Sequence, residues 1–384
     1  MSKVDITISI VTYNSRNVLK GCIDSIINTI EGISYEIIVV DNSSVDGTAG
    51  FIKEHSLSVT LIENKENVGF GRAHNQAFKL AKGKFFLILN PDTIIFPGAI
   101  DRIFRFMEAN EKAGAVGCKI WWDDERNFMF PDLKIHTLKT AFINFTPFCR
   151  YFPNSSISRN YWRSAHRLWT SGMPIEAEGV TGGFMMLRRE AFESAGLFDE
   201  NFFLFFEEHD LLRRIKNADW DIYYLPDAEI QHYFEESFRN SDIDIRRVYI
   251  ESALYYYRKY YKTPGHLLIK SLLILNKFIL FIEIKILNIK QNYAEICPTA
   301  GKIIIDWPRY KKATRYLVEI SYSPDFRDRG GMYTKGESLS LASDILKRLP
   351  NQTGFLRVLP VYAGTTIGRI IKTVKISNHP ERTD

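Results

Sequence analysis

Four short clusters and one histidine in this chain offer side chains able to bind a phosphorylated ligand or move a proton. Leu89-Asn90-Pro91-Asp92 puts a carboxylate just past an apolar run, Lys84 to Leu89. A divalent cation bridging two phosphates can sit at such a strand end, and Mg²⁺ or Mn²⁺ prefers hard oxygen donors. Taken alone, Asn-Pro-Asp is equally a common turn. Asp41-Asn-Ser-Ser44 closes another apolar run. Its carboxylate can accept from a pyrimidine N–H or a ribose hydroxyl, and the same residue types are preferred as helix caps. Asn67-Val-Gly-Phe-Gly-Arg-Ala-His-Asn75 is a glycine-containing loop entering a helix. Glycine lets the backbone approach a diphosphate, and Arg72 could offset its charge. With only Gly-x-Gly and no β-α-β unit opening there, it is not the dinucleotide fingerprint.

Phe205-Phe-Glu-Glu-His-Asp210 places three carboxylates, Glu207, Glu208 and Asp210, at the start of a helix. The helix dipole favours acids there whatever else they do. The run Phe202–Phe206 just before them would desolvate an acid and poise it as a general base. His232 follows the strand-like run Asp221–Leu225. A histidine so placed can complete a metal site, although most isolated histidines are structural.

The surrounding pattern says how these clusters are carried. Ile6–Val11, Glu36–Val40, Val59–Ile62 and Lys84–Leu89 read as strands, with helices over about 16–29, 47–54 and 71–81 between them. This order predicts an α/β fold with a mostly parallel sheet flanked by helices. Ligands bind such sheets beyond the carboxyl ends of the strands, where every polar cluster in this half falls. Trp121 to Met173 is irregular and aromatic and reads as an insertion covering the site. Strand Gly183–Leu187, helices Arg189–Ala195 and Glu208–Asn217, and strand Asp221–Leu225 follow.

A Tyr-rich helix, about Ile245–Tyr261, leads into a lipophilic stretch from Leu267 to Ile289. Lys270, Lys277, Glu283 and Lys285 interrupt that stretch, which disfavours a membrane span. A helix in the membrane interface and a helix packed on the protein fit it equally. From Pro298 on, the strand-like runs Lys302–Trp307, Tyr316–Ser321, Gly354–Tyr362 and Arg369–Ile376 predict a small all-β sandwich. The expected domains are therefore 1–240, 241–295 and 296–384.

The net charge of +5 is spread along 384 residues, so no basic stripe for nucleic acid emerges. The cluster Arg246–Arg247, Arg258–Lys259 and Lys262 suits a weak attraction to anionic membrane. Four scattered cysteines, Cys22, Cys118, Cys149 and Cys297, read as reduced thiols. The N-terminus enters a strand without a signal-peptide core, and a cytoplasmic location is expected, with a peripheral place on the inner membrane face left open.

Six phrases together resemble the family 2 glycosyltransferases of GT-A (Rossmann-like) fold, above all the bacterial rhamnosyltransferase-like branch. They are Ile10-Val-Thr-Tyr-Asn14, Val39-Val-Asp-Asn-Ser43, Asn67 to Asn75, Leu89-Asn-Pro-Asp-Thr93, Val180-Thr-Gly-Gly-Phe184 and Phe198 to Asp210, in order over roughly residues 5–235. The resemblance implies that Thr12, Asn14 and Asp41 hold base and ribose, and that Asn67, Gly71, Arg72 and Asn75 line the diphosphate. It places Asn90 and Asp92 at the end of the family's Asp-x-Asp metal motif, with Asp92 and His232 as ligands of Mg²⁺ or Mn²⁺. Glu208 matches the catalytic base, with Glu207 and Asp210 beside it, and Thr181, Gly182 and Gly183 border the acceptor. Two positions depart from the pattern: Asn90 stands for Asp, and Glu207-Glu208 stands for Glu-Asp.

The activity so implied is inverting transfer from a nucleoside diphosphate sugar, dTDP-rhamnose or a UDP-hexose, in bacterial surface polysaccharide synthesis. The acceptor would be a glycan or lipid-linked saccharide; a homo-oligomer is left open. The last 80 or so residues, through Trp307, Tyr316–Ser321 and Leu356–Val361, resemble a fibronectin type III domain. Two alternatives stand beside this. A sugar-nucleotide nucleotidyltransferase would want a Gly-rich, basic loop after the first strand, where Thr12-Tyr-Asn-Ser15 stands. A non-catalytic sugar-binding or scaffold protein would have no need of Asp92, Glu208 and His232 together.

Overall fold

The structure is a computed structural model describing residues 4–55, 59–131, 135–152, 154–161, 163–233, 243–282, 293–322, 329–349, 352–362 and 367–377. Glu283 and Lys285 of the lipophilic stretch lie outside the described residues. The chain forms two compact units. The first gathers Met1–Ile120, Asp132–His136 and Thr170–His266; the second gathers Trp121–Pro131, Thr137–Trp169 and Leu267–Asp384. Neither follows boundaries at 240 and 295. The stretch expected to cover the site, 121–173, belongs mostly to the second unit.

In the first unit, β1 (Ile6–Thr12), α1 (Arg16–Thr29), β2 (Tyr35–Asp41), α2 (Thr48–His55), β3 (Val59–Glu63), α3 (Phe70–Leu80) and β4 (Phe85–Leu89) alternate. Every residue of β4, and all but Val11 of β1, is buried. Continuous apolar strands of this kind are what a sheet covered on both faces requires. β1 pairs in parallel with β2 on one side and β4 on the other, and β3 extends the sheet beyond β2. Strand order thus reverses at β1, the switch point beside which ligands bind.

The remaining strands bring antiparallel pairings into this sheet. β5 (Thr93–Ile95), α4 (Ala99–Ala109) and β6 (Ala113–Trp121) follow β4. Then α5 (Leu138–Phe145), α6 (Phe148–Tyr151), α7 (Ser156–Tyr161) and α8 (Arg163–Trp169) intervene before β7 (Ile175–Glu176), β8 (Phe184–Arg188), α9 (Arg189–Ser194), α10 (Glu207–Asn217) and β9 (Asp221–His232). Among the described residues the order is β3-β2-β1-β4-β8-β6-β9-β5, with β7 on β9. β8 lies antiparallel on β4 with Leu89 opposite Phe184, so the start of β8 meets the end of β4. β9 runs past the predicted end at Leu225. Pro226 falls between its segment paired with β7 and its segment paired with β5, so the ring displaces no bond of either ladder.

α11 (Ile245–Phe281) leaves helical geometry at Lys262 (φ 57°, ψ −151°), two residues before Pro264. Proline lacks the N–H that would continue the helix and crowds the preceding turn. No helix among the described residues is long and apolar enough to cross a membrane.

In the second unit β10 (Ala294–Ile296), β12 (Arg315–Ser321), β13 (Arg329–Thr334), β15 (Thr353–Val361) and β16 (Lys372–Ser377) form one sheet, ordered β10-β16-β15-β12-β13. β11 (Lys302–Asp306) and β14 (Ser338–Ala342) form a second. Ile303, Ile305 and Leu341 of the smaller sheet share one core with Val318, Ile320, Leu356, Val358, Val374 and Ile376 of the larger. Trp122 and Phe128 enter this core. The opposite face of the larger sheet, at Leu317, Leu359 and Val361, is covered by Met129, Ala165 and Trp169. A Cβ on Gly331 would come within 2.3 Å of the Trp169 ring, so the glycine makes room for that cover.

Candidate active site

β5 pairs with β9 so that Thr93 lies opposite His232. This register carries His232 to the residues that follow β4. Its Nε2 is 3.0 Å from Asp92 Oδ1, both side chains being buried. Asn90 Nδ2 lies 3.2 Å from the same nitrogen. One ring nitrogen cannot donate to Asp92 and also accept from Asn90. A proton on Nε2 therefore requires Asn90 to turn its amide oxygen inward.

Glu208, in the first turn of α10, accepts a 2.7 Å hydrogen bond at Oε1 from the Gly182 backbone N–H. A Cβ on Gly182 would stand 2.3 Å from that oxygen. On the next residue, a Cβ on Gly183 would stand 2.9 Å from Cε1 and Nδ1 of His232. Gly182–Gly183 is thus a dipeptide with a carboxylate against one residue and an imidazole against the other, too close for any side chain. Burial raises the Glu208 carboxyl to about 7, against the lowering effect of the Gly182 hydrogen bond and of nearby His232. Such a group is half ionised near neutral pH, as a general base should be.

Glu207 is more deeply buried, and its Oε2 has no hydrogen-bond partner among the described residues. Burial and the neighbouring Glu208 push its carboxyl well above the usual range. Asp210 points elsewhere, since residues two apart on a helix face different sides. Arg214 donates to its Oδ2, Tyr260 to its Oδ1, and Lys259 Nζ lies 2.6 Å from that Oδ1.

Asp41, at the end of β2, is opposite Thr12 at the end of β1. Thr12 Oγ1 donates to its Oδ1 at 2.9 Å, and the Ser44 N–H to its Oδ2 at 3.0 Å. Asn14 (φ 52°) accepts from the Val45 N–H at 2.9 Å, joining the two strand-end loops. The helix-capping role that the Asp41 cluster could have filled falls to Asp46. Its Oδ1 accepts from the Thr48 N–H and its Oδ2 from the Arg16 N–H, at the starts of α2 and α1. Strand spacing puts β2 and β4, two strands apart, about 10 Å from one another.

In the loop before α3, Asn67 Oδ1 accepts from the Gly69 N–H at 3.0 Å. Gly69 has φ 89°, and a Cβ there would lie 2.4 Å from the Phe203 carbonyl oxygen. Gly71 packs on Phe198, where a Cβ would come within 2.9 Å. Asn75 donates to the Phe198 carbonyl and accepts from the Phe198 N–H. Arg72 is exposed, 3.3 Å from Glu200. These contacts fix the 198–203 segment ahead of Glu208, and Arg72 remains the residue of this loop reaching solvent. Thr181 Oγ1 accepts from the Gly183 N–H at 3.3 Å.

Asp92 and His232 offer a hard oxygen and an imidazole nitrogen, a set that suits Mn²⁺ and leaves further positions to substrate oxygens and water. Among the described residues no group of three or more His, Cys, Asp and Glu side chains able to hold a metal is present.

Several residues that build the site carry roles the sequence did not signal, among them Lys259, expected to face a membrane. Phe205 and Phe206 both adopt left-handed φ, 67° and 68°, a backbone state costing about 1–3 kcal/mol each in a bulky residue. Phe206 is held there by the rings of His136, Tyr249 and Tyr256. Lys259 joins Asp199 and Asp210, both at 2.6 Å. The aromatic run signalled burial, but nothing local signals left-handed phenylalanines.

The fold is that of an α/β protein with acidic, histidine and glycine residues gathered where a nucleotide-type sheet binds ligands. Residues 7–196 match the family model Glycosyl transferase family 2. Over 215 residues the chain is 28% identical to the N-acetylglucosaminyl-diphospho-decaprenol L-rhamnosyltransferase of Mycobacterium tuberculosis, covering 51% of this chain and 66% of that relative. It is 33% identical over 117 residues to the poly(ribitol-phosphate) beta-glucosyltransferase of Bacillus spizizenii, covering 29% of this chain and 18% of the relative. The chain therefore spans less than two thirds of either. Among solved structures, the Pyrobaculum calidifontis mannosyltransferase PcManGT in complex with GDP-Man and Mn²⁺ aligns at a TM-score of 0.44 with 18% identity, over 73% of this chain and 70% of that one. S. aureus TarS 1–349 in complex with UDP-GlcNAc aligns at 0.45 with 13% identity, over 74% and 76%.

Proposed function

We propose that the chain is an inverting, metal-dependent glycosyltransferase that moves a sugar from a nucleoside diphosphate to a glycan or lipid-linked saccharide. The observation that carries this is the Gly182–Gly183 dipeptide, against which Glu208 and His232 both lie, His232 being paired with Asp92. Thr12, Asn14 and Asp41 take the nucleoside, about two strands away from Asp92. Asn67 and Asn90 border the diphosphate and Arg72 offsets its charge, while Gly71 and Asn75 hold the 198–203 segment that leads to Glu208. Thr181, Gly182 and Gly183 face the acceptor. Glu208 removes the proton from the acceptor hydroxyl; that oxygen bonds to the anomeric carbon as the bond to the diphosphate breaks. The nucleoside diphosphate leaves with the electron pair, and a single displacement inverts the carbon. A cation held by Asp92 and His232 would offset the leaving group's charge.

The donor is dTDP-rhamnose or a UDP-hexose, the first favoured by the rhamnosyl transfer that the mycobacterial relative's name states. The same name states a lipid-linked acceptor, which supports peripheral contact with a membrane. Exposed Leu267, Ile274, Leu275, Phe278 and Phe281 beside Lys270 and Lys277 support it too. The β-sandwich reads as fibronectin type III-like, supported by its two sheets around Trp307 and Tyr316, with ring centroids 5.6 Å apart. Its role would be docking.

The test is a thermal-shift screen of dTDP, UDP and their sugars with and without Mn²⁺. A metal-dependent upward shift that Asp92→Ala removes supports the reading. Transfer that survives in Glu208→Gln refutes the base.

A further inference from the structure

The second unit carries a surface that the transfer reaction does not use. From Thr137 to Trp169 the chain has no Asp or Glu and five Lys or Arg, although acids nearly balance bases overall, 45 against 50. The same stretch exposes large apolar side chains: Leu138 (42%), Phe142 (43%), Phe152 (58%) and Ile157 (53%). They are not scattered. The Phe142 and Phe148 rings meet at a tilt with centroids 5.3 Å apart, and those of Phe148 and Phe152 at 5.2 Å, giving a continuous aromatic ridge from α5 across α6. Leu138 stands one helical turn before Phe142 on α5. Exposed Lys139, Arg159 and Arg163 belong to the same acid-free stretch.

We infer that this surface docks on an anionic lipid bilayer. Exposed apolar side chains in a stretch of chain whose charges are all basic suit the boundary between headgroups and acyl chains, where rings insert and arginines meet phosphates. A protein partner would need acids to match the arginines and would gain nothing from lipid. The charge pattern therefore selects the bilayer. The inference deepens the lipid-linked reading above, since it brings the enzyme to a substrate confined to the membrane, but its test does not require transfer.

The full chain is sedimented with phosphatidylcholine vesicles with and without phosphatidylglycerol. Binding is expected only with phosphatidylglycerol, weakening as salt rises. The triple variant Phe142→Ser/Phe152→Ser/Ile157→Ser is expected to lower partitioning at least about tenfold. Arg159→Gln/Arg163→Gln lowers it about fivefold per arginine. To exclude misfolding, a polarity-sensitive dye on Phe152→Cys in a Cys297→Ser background is read; a blue shift with phosphatidylglycerol vesicles is expected. The inference is overturned by wild type that ignores the vesicles or binds neutral ones equally. It is overturned too by a triple variant that partitions like wild type while Ile274→Ser/Phe278→Ser does not, or by a concentration-dependent dimer that the triple variant abolishes. Loss of every donor-induced thermal shift with intact vesicle binding would instead sink the transferase reading alone.

Discussion

Glu208 combines three circumstances that rarely meet in one carboxyl: burial, a backbone N–H at 2.7 Å and a histidine in electrostatic reach. Burial is the largest of them and lifts the group to about 7 from an ordinary value of 4.5. Folding therefore raises its proton affinity. The stability it contributes is fully present below the unfolded value and is lost as pH climbs through about 7. Glu208→Gln, measured without divalent metal, should melt close to wild type at pH 4 and be more stable at pH 8 by about 1–3 kcal/mol. Equal pH dependence in the two proteins would show that the carboxyl is not perturbed. The same titration sets an acid limb near pH 7 in transfer, because the protonated acid cannot accept the acceptor's proton. Gly182→Ala attacks this geometry without touching a charge. Its Cβ needs the space of Oε1, so Glu208 must swing away. Transfer should fall by about a hundredfold for an ångström-scale displacement, with donor-induced stabilisation retained. Loss of both together would mean the glycine serves the fold and not the carboxylate.

At the scale of elements, the parallel half of the sheet was legible because its strands are short apolar runs ending in polar clusters. β1, β2 and β4 fall within a residue or so of the predicted runs. What was not legible needs a partner far along the chain. The Asn67–Asn75 loop reads as a phosphate loop, yet Gly69, Gly71 and Asn75 spend their special properties on Phe198 and Phe203. Asp46, an unremarked acid in the sequence, caps two helices at once. Gly69 is the sharpest case, with left-handed φ and a carbonyl 2.4 Å from where a Cβ would sit. Gly69→Ala should cost about 2–4 kcal/mol, strain and clash together, and lower the melting temperature accordingly. A melting temperature unchanged within error would rule out the close approach. Lys259 works across elements as well, drawing Asp199 and Asp210 to one ammonium. Here burial alone would raise the Asp199 carboxyl, but the Lys259 and Asn201 hydrogen bonds prevail and hold it near 2. Lys259→Met should loosen α10 and lower kcat more than donor KM; Lys259→Arg should restore most of it. A Met variant with normal kcat would leave the network without a role in placing Glu208.

On the scale of the whole molecule, the linear reading of a catalytic half followed by a β-sandwich misses how the second unit is assembled. Trp122 and Phe128 belong to the sandwich core although they precede it by about 170 residues. Met129, Ala165 and Trp169 cover the outer face of its larger sheet. Local patterning cannot report this, because an aromatic run reads the same whichever core receives it. The consequence can be tested by truncation. A chain ending at residue 295, the natural cut on sequence grounds, strips the partners from Trp122, Phe128 and Trp169 and leaves those rings in water. Each large ring left uncovered forfeits about 1.5–3 kcal/mol of burial and adds to an apolar patch prone to association. That truncation should aggregate on size exclusion and bind a hydrophobic dye. A chain ending at residue 266, with 121–131 and 137–169 each replaced by a short Gly-Ser linker, removes the second unit at its own boundaries and should run as a monodisperse species. The reverse result, a well-behaved protein ending at 295 and an aggregating one ending at 266, would mean that 121–169 folds with the sheet of the first unit after all. In that case the irregular stretch would return to the place the sequence first suggested for it, over the site.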